Sequence, residues 1–352
     1  MAMEFYIVNS SLDIIGIIDT YKSAIWTERY YTSGDFELYI PATKEMINTI
    51  KKHQFIVRMD DPTKAMIVES IKLSTSADNG NYLTVTGRSL SSILSRRIVW
   101  KQTTYNGYLE KAARKIVTDS FISPEIADRA VSQMVLGDEL GLIYTVKVQF
   151  TGDVVEQAIQ SLCVANKLGY DLKMDLENKC FSFVLYEGKD RSYNQSINPY
   201  VVFSNDFENL LSSDYSNDDT QYKNVAQVAG EGQGINRKKA VVGTASGLER
   251  YEVFVDAKNQ STNDGEIDDA TYLSLLSQEG VARLAELGTT ESIDSEVAPN
   301  HTYVLNEDYF LGDVVEVINE YGIAMTPRVV EVIECQNDTG YTCIPTFATD
   351  DE

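Results

Sequence analysis

The sequence predicts a β-rich α+β fold divided among several domains, on three observations. Short β-branched and aromatic runs punctuated by turn residues fill the first hundred and the last hundred and fifty positions. Helical spacing is concentrated in residues 108–169 and 269–287. A content of 43% hydrophobic and 10% aromatic residues over 352 positions supports sizeable cores and excludes a disordered or collagen-like chain. At about 100–200 residues per domain, two to four domains are expected.

The N-terminal strands are expected at residues 4–8, 12–20, 24–31, 35–40, 54–59, 65–73 and 82–87. Ser33-Gly34-Asp35, Asp60-Asp61-Pro62 and Asp78-Asn79-Gly80 supply turn chemistry between them. Met46, Ile47 and Ile50 place a short helix at 43–52, and residues 89–94 add a helical turn. Residues 108–120 and 123–136 have helical spacing, the first with Leu109, Ala112, Ala113 and Ile116 on one face. A third helix is marked by a capping box, Asp153-x-x-Glu156, by Val155, Ile159 and Cys163 on one face, and by Gly169 as a C′ residue. Cys163 is thereby a small core residue rather than a nucleophile. Residues 170–175 and 180–185 read as a hairpin.

From Pro199 the β pattern returns at 200–203, 222–230, 237–242 and 251–255, interrupted by a helix at 269–287 that Gly288 ends. Strands resume at Tyr303, 312–318, 326–334 and 342–347. Residues 256–296 hold ten acids against Lys258 and Arg283, an acidic excursion outside the β core. A weak internal repeat links residues 55–86 to 314–345: strand, turn, a β-branched strand with one outward glutamate (Glu69, Glu331), polar turn, strand. It is either a duplication or shared β grammar.

The charge balance excludes several functions. Thirty Lys and Arg stand against 53 Asp and Glu, a net charge of −23. Such a surface lacks the basic footprint of a nucleic-acid binder and repels anionic lipid. No apolar run approaches the ~20 residues of a membrane span, and no secretory signal is visible at the start. Four dispersed cysteines without a C-x-x-C pair fit reduced thiols in a cytosol. Cys335 and Cys343 flank the turn at 337–340; a two- or four-residue loop puts them on opposite faces, a three-residue loop makes them neighbours.

Chemistry is hard to find. The two histidines, His53 and His301, sit in polar turns outside any nucleophile or metalloprotease motif and read as solvated. The clusters 214–219 and 263–269 carry carboxylates suited to Ca²⁺ but lack the EF-hand pattern, so they read as solvated loops. Gly230-Glu231-Gly232-Gln233-Gly234 is followed by a further strand rather than a helix, which favours a hairpin loop over a phosphate loop. No pair of carboxylates is singled out for glycan hydrolysis, because such partners meet only in space. The expectation is no catalytic residue, no cofactor site and no metal site.

The order of several segments nevertheless resembles a family. These are Gly34-Asp35-Phe36-Glu37-Leu38 with Pro41, residues 87–98 (GRSLSSILSRRI), 188–192 (GKDRS), Gln195, Pro199 and 202–204 (VFS). Phe207, Asn209 and Leu210 follow, then 222–232 (YKNVAQVAGEG), 247–256 (GLERYEVFVD) and 309–317 (YFLGDVVEV). The succession, covering nearly the whole chain, resembles siphophage and prophage tail proteins that form the N-terminal hub of tail-associated lysins, themselves similar to the baseplate hub of contractile-tailed phages. The resemblance implies two tail-tube-like β-barrels and two smaller α+β accessory domains: 1–99 as the first barrel, 100–200 as an accessory domain, 201–247 with 300–352 as a discontinuous second barrel, and 248–299 as an acidic α+β insertion. It implies a homotrimer, two barrels per chain making six units that adapt a six-fold tail tube to a three-fold tip and let DNA pass; the acid excess adds the expectation of a lumen free of net positive charge, the alternative being that it only keeps a large assembly soluble. Partners would be the chain itself, distal tail or tail-tube proteins, and tail-tip or fibre proteins. There would be no sequence-specific nucleic-acid binding and no stable membrane association. The place would be the virion tail tip, after synthesis in the bacterial host cytoplasm. The chain ends shortly after its last strand, so no lysin domain is expected. The alternatives are a cell-wall glycan hydrolase and a host-receptor or carbohydrate-binding module, the latter using some of the 21 tyrosines to stack on sugars.

Overall fold

A computed structural model describes residues 3–77, 80–298 and 302–349, with only the backbone of Thr290. His301, part of the Asp78-Asn79-Gly80 turn and the last three residues lie outside the described residues. The fold is α+β and β-rich. Strands β1 (Phe5–Val8), β2 (Ile14–Ile18), β3 (Ser23–Arg29) and β4 (Asp35–Pro41) precede helix α1 (Lys44–Thr49), whose first turn Thr43 caps by accepting from the Met46 amide. Then come β5 (Phe55–Arg58), β6 (Ala65–Ser76), β7 (Gly80–Ser89) and a buried 3₁₀ turn, Leu90–Arg96. The next stretch holds β8 (Thr103–Tyr108), α2 (Leu109–Val117), β9 (Met134–Leu136), β10 (Thr145–Phe150), α3 (Val155–Val164) and the hairpin β11 (Gly169–Asp175) and β12 (Cys180–Tyr186). The remainder runs β13 (Val202–Ser204), β14 (Leu210–Asp218), β15 (Val225–Ala229), β16 (Lys239–Val242), β17 (Glu252–Asp256), α4 (Asp269–Glu286), β18 (Thr290–Val297), β19 (Glu316–Ile318), β20 (Ala324–Met325), β21 (Arg328–Asn337) and β22 (Gly340–Ala348).

Eleven strands make one sheet in the order β14-β18-β22-β21-β3-β4-β7-β6-β5-β1-β2. The sheet is open: β14 and β2 end it, and among the described residues it does not close into the barrels implied by the resemblance. The described residues form four apolar cores, three of them against this sheet. Phe5, Trp26, Phe36, Leu38 and Val85 fill one against the first half, and Phe203, Tyr309, Val329 and Phe347 fill another against the second. A third joins β5 and β6 to α2, α3 and β11–β12. The fourth lies between α4 and the small sheet β16-β15-β17. The runs expected at 222–230 and 237–242 therefore sit with α4, not in the large sheet.

Local corrections follow from tertiary pairing. Residues 123–136 are not a helix; Pro124 interrupts the backbone, Ala127–Arg129 is one 3₁₀ turn, and β9 is taken as a parallel strand beside Phe181–Phe183. Asp153 does not cap α3: its carboxylate accepts from the Thr151 amide (2.7 Å), and Glu156 accepts from the Ser33 hydroxyl. Lys167, at φ 56°, takes the left-handed turn expected of Gly169, which instead begins β11. Tyr303 is coil. The sequence also hides β8, β10, β14 and β18. In β14 and β18 the polar composition leaves few apolar positions to reveal the period.

The repeat has a geometric counterpart. β6 carries a bulge between Val68 and Ser70, β21 one between Val329 and Glu331. The Val68 amide donates to Gln54 and its carbonyl accepts from His53 (φ 69°); Val329 donates to Asp313 and accepts from Gly312 (φ 94°) in the same pattern. Counting outward, Ser76 pairs Gly80 and Asn337 pairs Gly340 at the same distance from each bulge, and β4 pairs β7 as β18 pairs β22. The strand sets β3-β4-β7-β6 and β14-β18-β22-β21 are thus alike, with Val314 matching Phe55 as expected. The two glutamates are one position out of step: Glu69 lies in its bulge and Glu331 just after its own.

The halves join where β21 pairs β3, from Glu331 opposite Arg29 to Asn337 opposite Ser23. Beneath this seam the Arg58 guanidinium, 5% exposed, pairs with the Glu334 carboxylate, 4% exposed, and with Asp60 (2.6 Å), and lies over the Trp26 ring. Removing one partner leaves an uncompensated buried charge, so Arg58→Ala is expected to lower unfolding free energy by about 3–5 kcal/mol, while Arg58→Met with Glu334→Met recovers most of it. Equilibrium denaturation of the three variants checks this; equal losses in the single and double variants would contradict the pairing.

Candidate functional site

None of the candidates for chemistry assembles into a catalytic group. His53 is an exposed loop residue. Burial pushes the Cys163 thiol well up and that of Cys343 to about 11, so neither is a thiolate at neutral pH. Cys335 pairs Thr342 across a two-residue loop, which puts Cys335 and Cys343 on opposite faces, and all four cysteines are free. Gly230–Gly234 connects the antiparallel strands β15 and β16. The acids at 214–219 are largely extended strand, and Asp268 of the second cluster caps α4 by accepting from the Thr271 amide (3.0 Å). Among the described residues no three His, Cys, Asp or Glu side chains converge as a metal site.

Perturbed carboxylates line cavities at two places among the described residues. One of about 230 Å³ is lined by Glu28, Lys64 and Asp171. Burial raises Asp171, which accepts from the Ser91 hydroxyl (2.9 Å), while Glu28 is bound to Lys64 (2.8 Å) and the Trp26 indole (3.1 Å). The other, about 410 Å³, lies between α3 and α4 and includes Asp153 and Glu279. Burial raises both, and Asp153 adds to the rise of Glu279. Gln149 exchanges hydrogen bonds with Ser261, and the Lys147 amide donates to Gln278, so this polar cavity is the joint by which the α4 unit docks on the α3 unit.

The extended feature is the large sheet itself, with a polar face and two open edges. Strand alternation puts Asp35, Glu37, Asp214, Asp218, Asp294, Glu296 and Glu331 on the face opposite the Trp26 and Phe347 cores, against Arg29, Lys72 and Arg88. Arg29 is bound to both Glu331 (2.5 Å) and Asp35 (2.6 Å), which leaves the β14–β18 end acidic. There Asp214 stands directly opposite Asp294, and both are exposed. Arg96, Arg97, Lys238 and Lys239 lie outside this sheet. Such a face can repel phosphate. Sequence reasoning missed it because β14 and β18 are polar; the isolated Ile293 and Val297 are the only strong apolar positions in β18.

Residues 4–347 match the family model described as siphovirus ReqiPepy6 Gp37-like protein. No curated protein matches the chain. Among solved structures, the 43 kDa tail protein of prophage MuSo2 from Shewanella oneidensis is 13% identical, with 99% of each chain covered and a TM-score of 0.62. The tail protein from Neisseria meningitidis MC58 is 14% identical, covering 99% of this chain and 97% of that one, at 0.60. Prophage tail protein gp18 from Listeria monocytogenes EGD-e is 11% identical, covering 100% and 96%, at 0.56. At these identities the likeness is one of fold.

A raised carboxylate favours the folded state while protonated, and that advantage fades as pH rises from the unfolded value through the folded one. Glu279→Gln is therefore expected to leave stability near pH 4 unchanged and to increase it at pH 7, Glu279 being raised above its ordinary 4.5. Denaturant midpoints at the two pH values check the sign.

Proposed function

The chain belongs to the siphovirus ReqiPepy6 Gp37-like protein family, and from that premise we propose that this structural tail protein is the hub of a phage or phage-like tail tip. Three chains form a ring, each supplying two tail-tube-type modules, and six modules match a six-fold tube above while three chains match a three-fold tip below. The observation that carries this reading is the internal one: two strand sets with the same bulge, the same turn spacing and the same pairing order lie edge to edge in one sheet. A ring built from such sheets would have a continuous wall, and barrel closure would belong to the assembly rather than to one chain.

The proposed domains are 1–99, 100–200, 201–247 with 300–352, and 248–299. The core around α4 argues for moving the third boundary to before Val225, so that β15 and β16 belong with the insertion. The acidic polar face would line the bore and keep DNA phosphate from adhering within the ~8–10 Å screening length. Distal tube proteins and tip or fibre proteins would dock above and below, at the virion tail tip. The role is non-enzymatic: the Glu28–Asp171 cleft is the best place for carboxylate chemistry, but Glu28 is engaged with Lys64 and Trp26, and Asp171 with Ser91.

Light scattering over a range of concentrations is expected to approach three chains of 39.4 kDa, about 118 kDa; a strictly monomeric or dimeric mass would reject the ring. A peptidoglycan zymogram is expected to stay uncleared. Clearing that disappears in Glu28→Gln or Asp171→Asn would establish the hydrolase instead.

A further inference from the structure

The seam inside the chain is a template for the contact between chains. It joins the outer edge of β21 after its bulge to the outer edge of β3. The matching edges elsewhere are the outer edge of β6 after its own bulge and the outer edge of β14. Among the described residues no strand lies against β6 at residues 70–75 or against the outer edge of β14. Open strand edges of this length invite pairing.

Resting on the ring reading above, we propose that β6 of one copy pairs antiparallel with β14 of the next, reproducing the β21–β3 seam. The register follows from the matched positions. The bulges set β21 onto β6, so that Glu331 corresponds to Ser70 and Glu334 to Leu73. The ladders through β4, β7, β18 and β22 set Trp26 onto Tyr215 and Arg29 onto Asp218. Since Glu334 faces Trp26 in the internal seam, Leu73 faces Tyr215 in the external one, with Ser70 opposite Asp218 and Ser74 opposite Asp214.

The chemistry is complementary at each seam in its own way. Internally Glu334 meets Trp26 above the Arg58 guanidinium. At the external seam the three matching residues are Leu73, Tyr215 and Val317, so acid, ring and base become an all-apolar set with no charge left to satisfy. Leu73 is 51% and Tyr215 37% exposed in the single chain, and both would be covered. The occupant is therefore a second copy of this chain. The contact is head-to-tail, using a different edge on each side, and such a contact either closes a ring or grows without end.

The test is disulfide trapping in the full-length chain carrying Cys180→Ser and Cys335→Ser. Leu73→Cys with Tyr215→Cys is expected to give, on mild oxidation, a covalent ladder that stops at three chains. Leu73→Cys with Ser213→Cys, displaced by two positions and thus about 7–8 Å away, is expected to give little. Leu73→Asp, which sets a carboxylate against the Tyr215 ring in an otherwise apolar contact, is expected to keep the monomer's circular dichroism and weaken assembly on the order of tenfold. A trimeric mass with no 73–215 cross-link would overturn this seam and leave the ring reading standing. A chain that stays monomeric without cross-linking overturns both, and a ladder running past three rejects a closed ring while keeping the seam.

Discussion

The fold depends on one ladder, the seven residue pairs by which β21 crosses from the second half of the chain to lie against β3. Without it the large sheet would be two sheets, and the cores around Trp26 and Phe347 would have no common wall. Such a ladder joins residues about three hundred positions apart, so its formation must outweigh a long loop closure. The apolar burial on either side, and the enclosed Arg58–Glu334 pair, fit that requirement. The pair also specifies the seam: an offset of one residue would turn Glu334 to the other face and leave Arg58 without its buried partner.

The two strand sets share a hydrogen-bond plan but bury different amounts. In the first, Trp26, Phe36, Leu38 and Ile40 are all inside. The matching residues of the second are Tyr215, Ile293, Ser295 and Val297, a thinner set in which Tyr215 remains partly exposed and the Ser295 hydroxyl is buried without a partner. Compensation comes from an aromatic cluster in which the Phe203 ring lies 5.2 Å from both Tyr309 and Phe347. Strand β14, at the end of this set, has a single buried residue, Leu210. A strand so exposed holds its place in one chain by its pairing with β18 and little else.

Much of this was legible in the residues. The N-terminal strands, α2, α4 and the 170–185 hairpin announce themselves because each buries one face, and burial writes a period into the sequence. The segments that misled are those where pairing overrode local pattern: residues 123–136 have helical spacing but are drawn to the edge of β12, and Asp153 prefers the Thr151 amide to a capping role. Strands β14 and β18 were invisible for the opposite reason: β14 is exposed along nearly its whole length, and the buried face of β18 includes Ser295, which breaks the apolar alternation. The repeat was visible in outline, but its register was not, because the glutamates that suggested it sit one position apart and only the bulges restore the alignment.

The acidic polar face carries a cost that bears on how it can be used. Asp214 and Asp294 stand opposite each other across a strand pair, an arrangement that is destabilising by a fraction of a kcal/mol while both are hydrated. The same repulsion would rise severalfold if the face were packed against another protein surface, because the effective dielectric would fall from that of water toward that of an interior. The face is thus poorly suited to becoming a dry interface, and partners that meet the sheet should meet it at its edges or its ends. A wide, water-filled lumen is the enclosure that leaves the carboxylates their hydration and counterions. In such a channel the charge would act through the mobile ion layer rather than on a fixed partner, so phosphate passing the β14–β18 stretch of the wall would meet repulsion there and no specific grip.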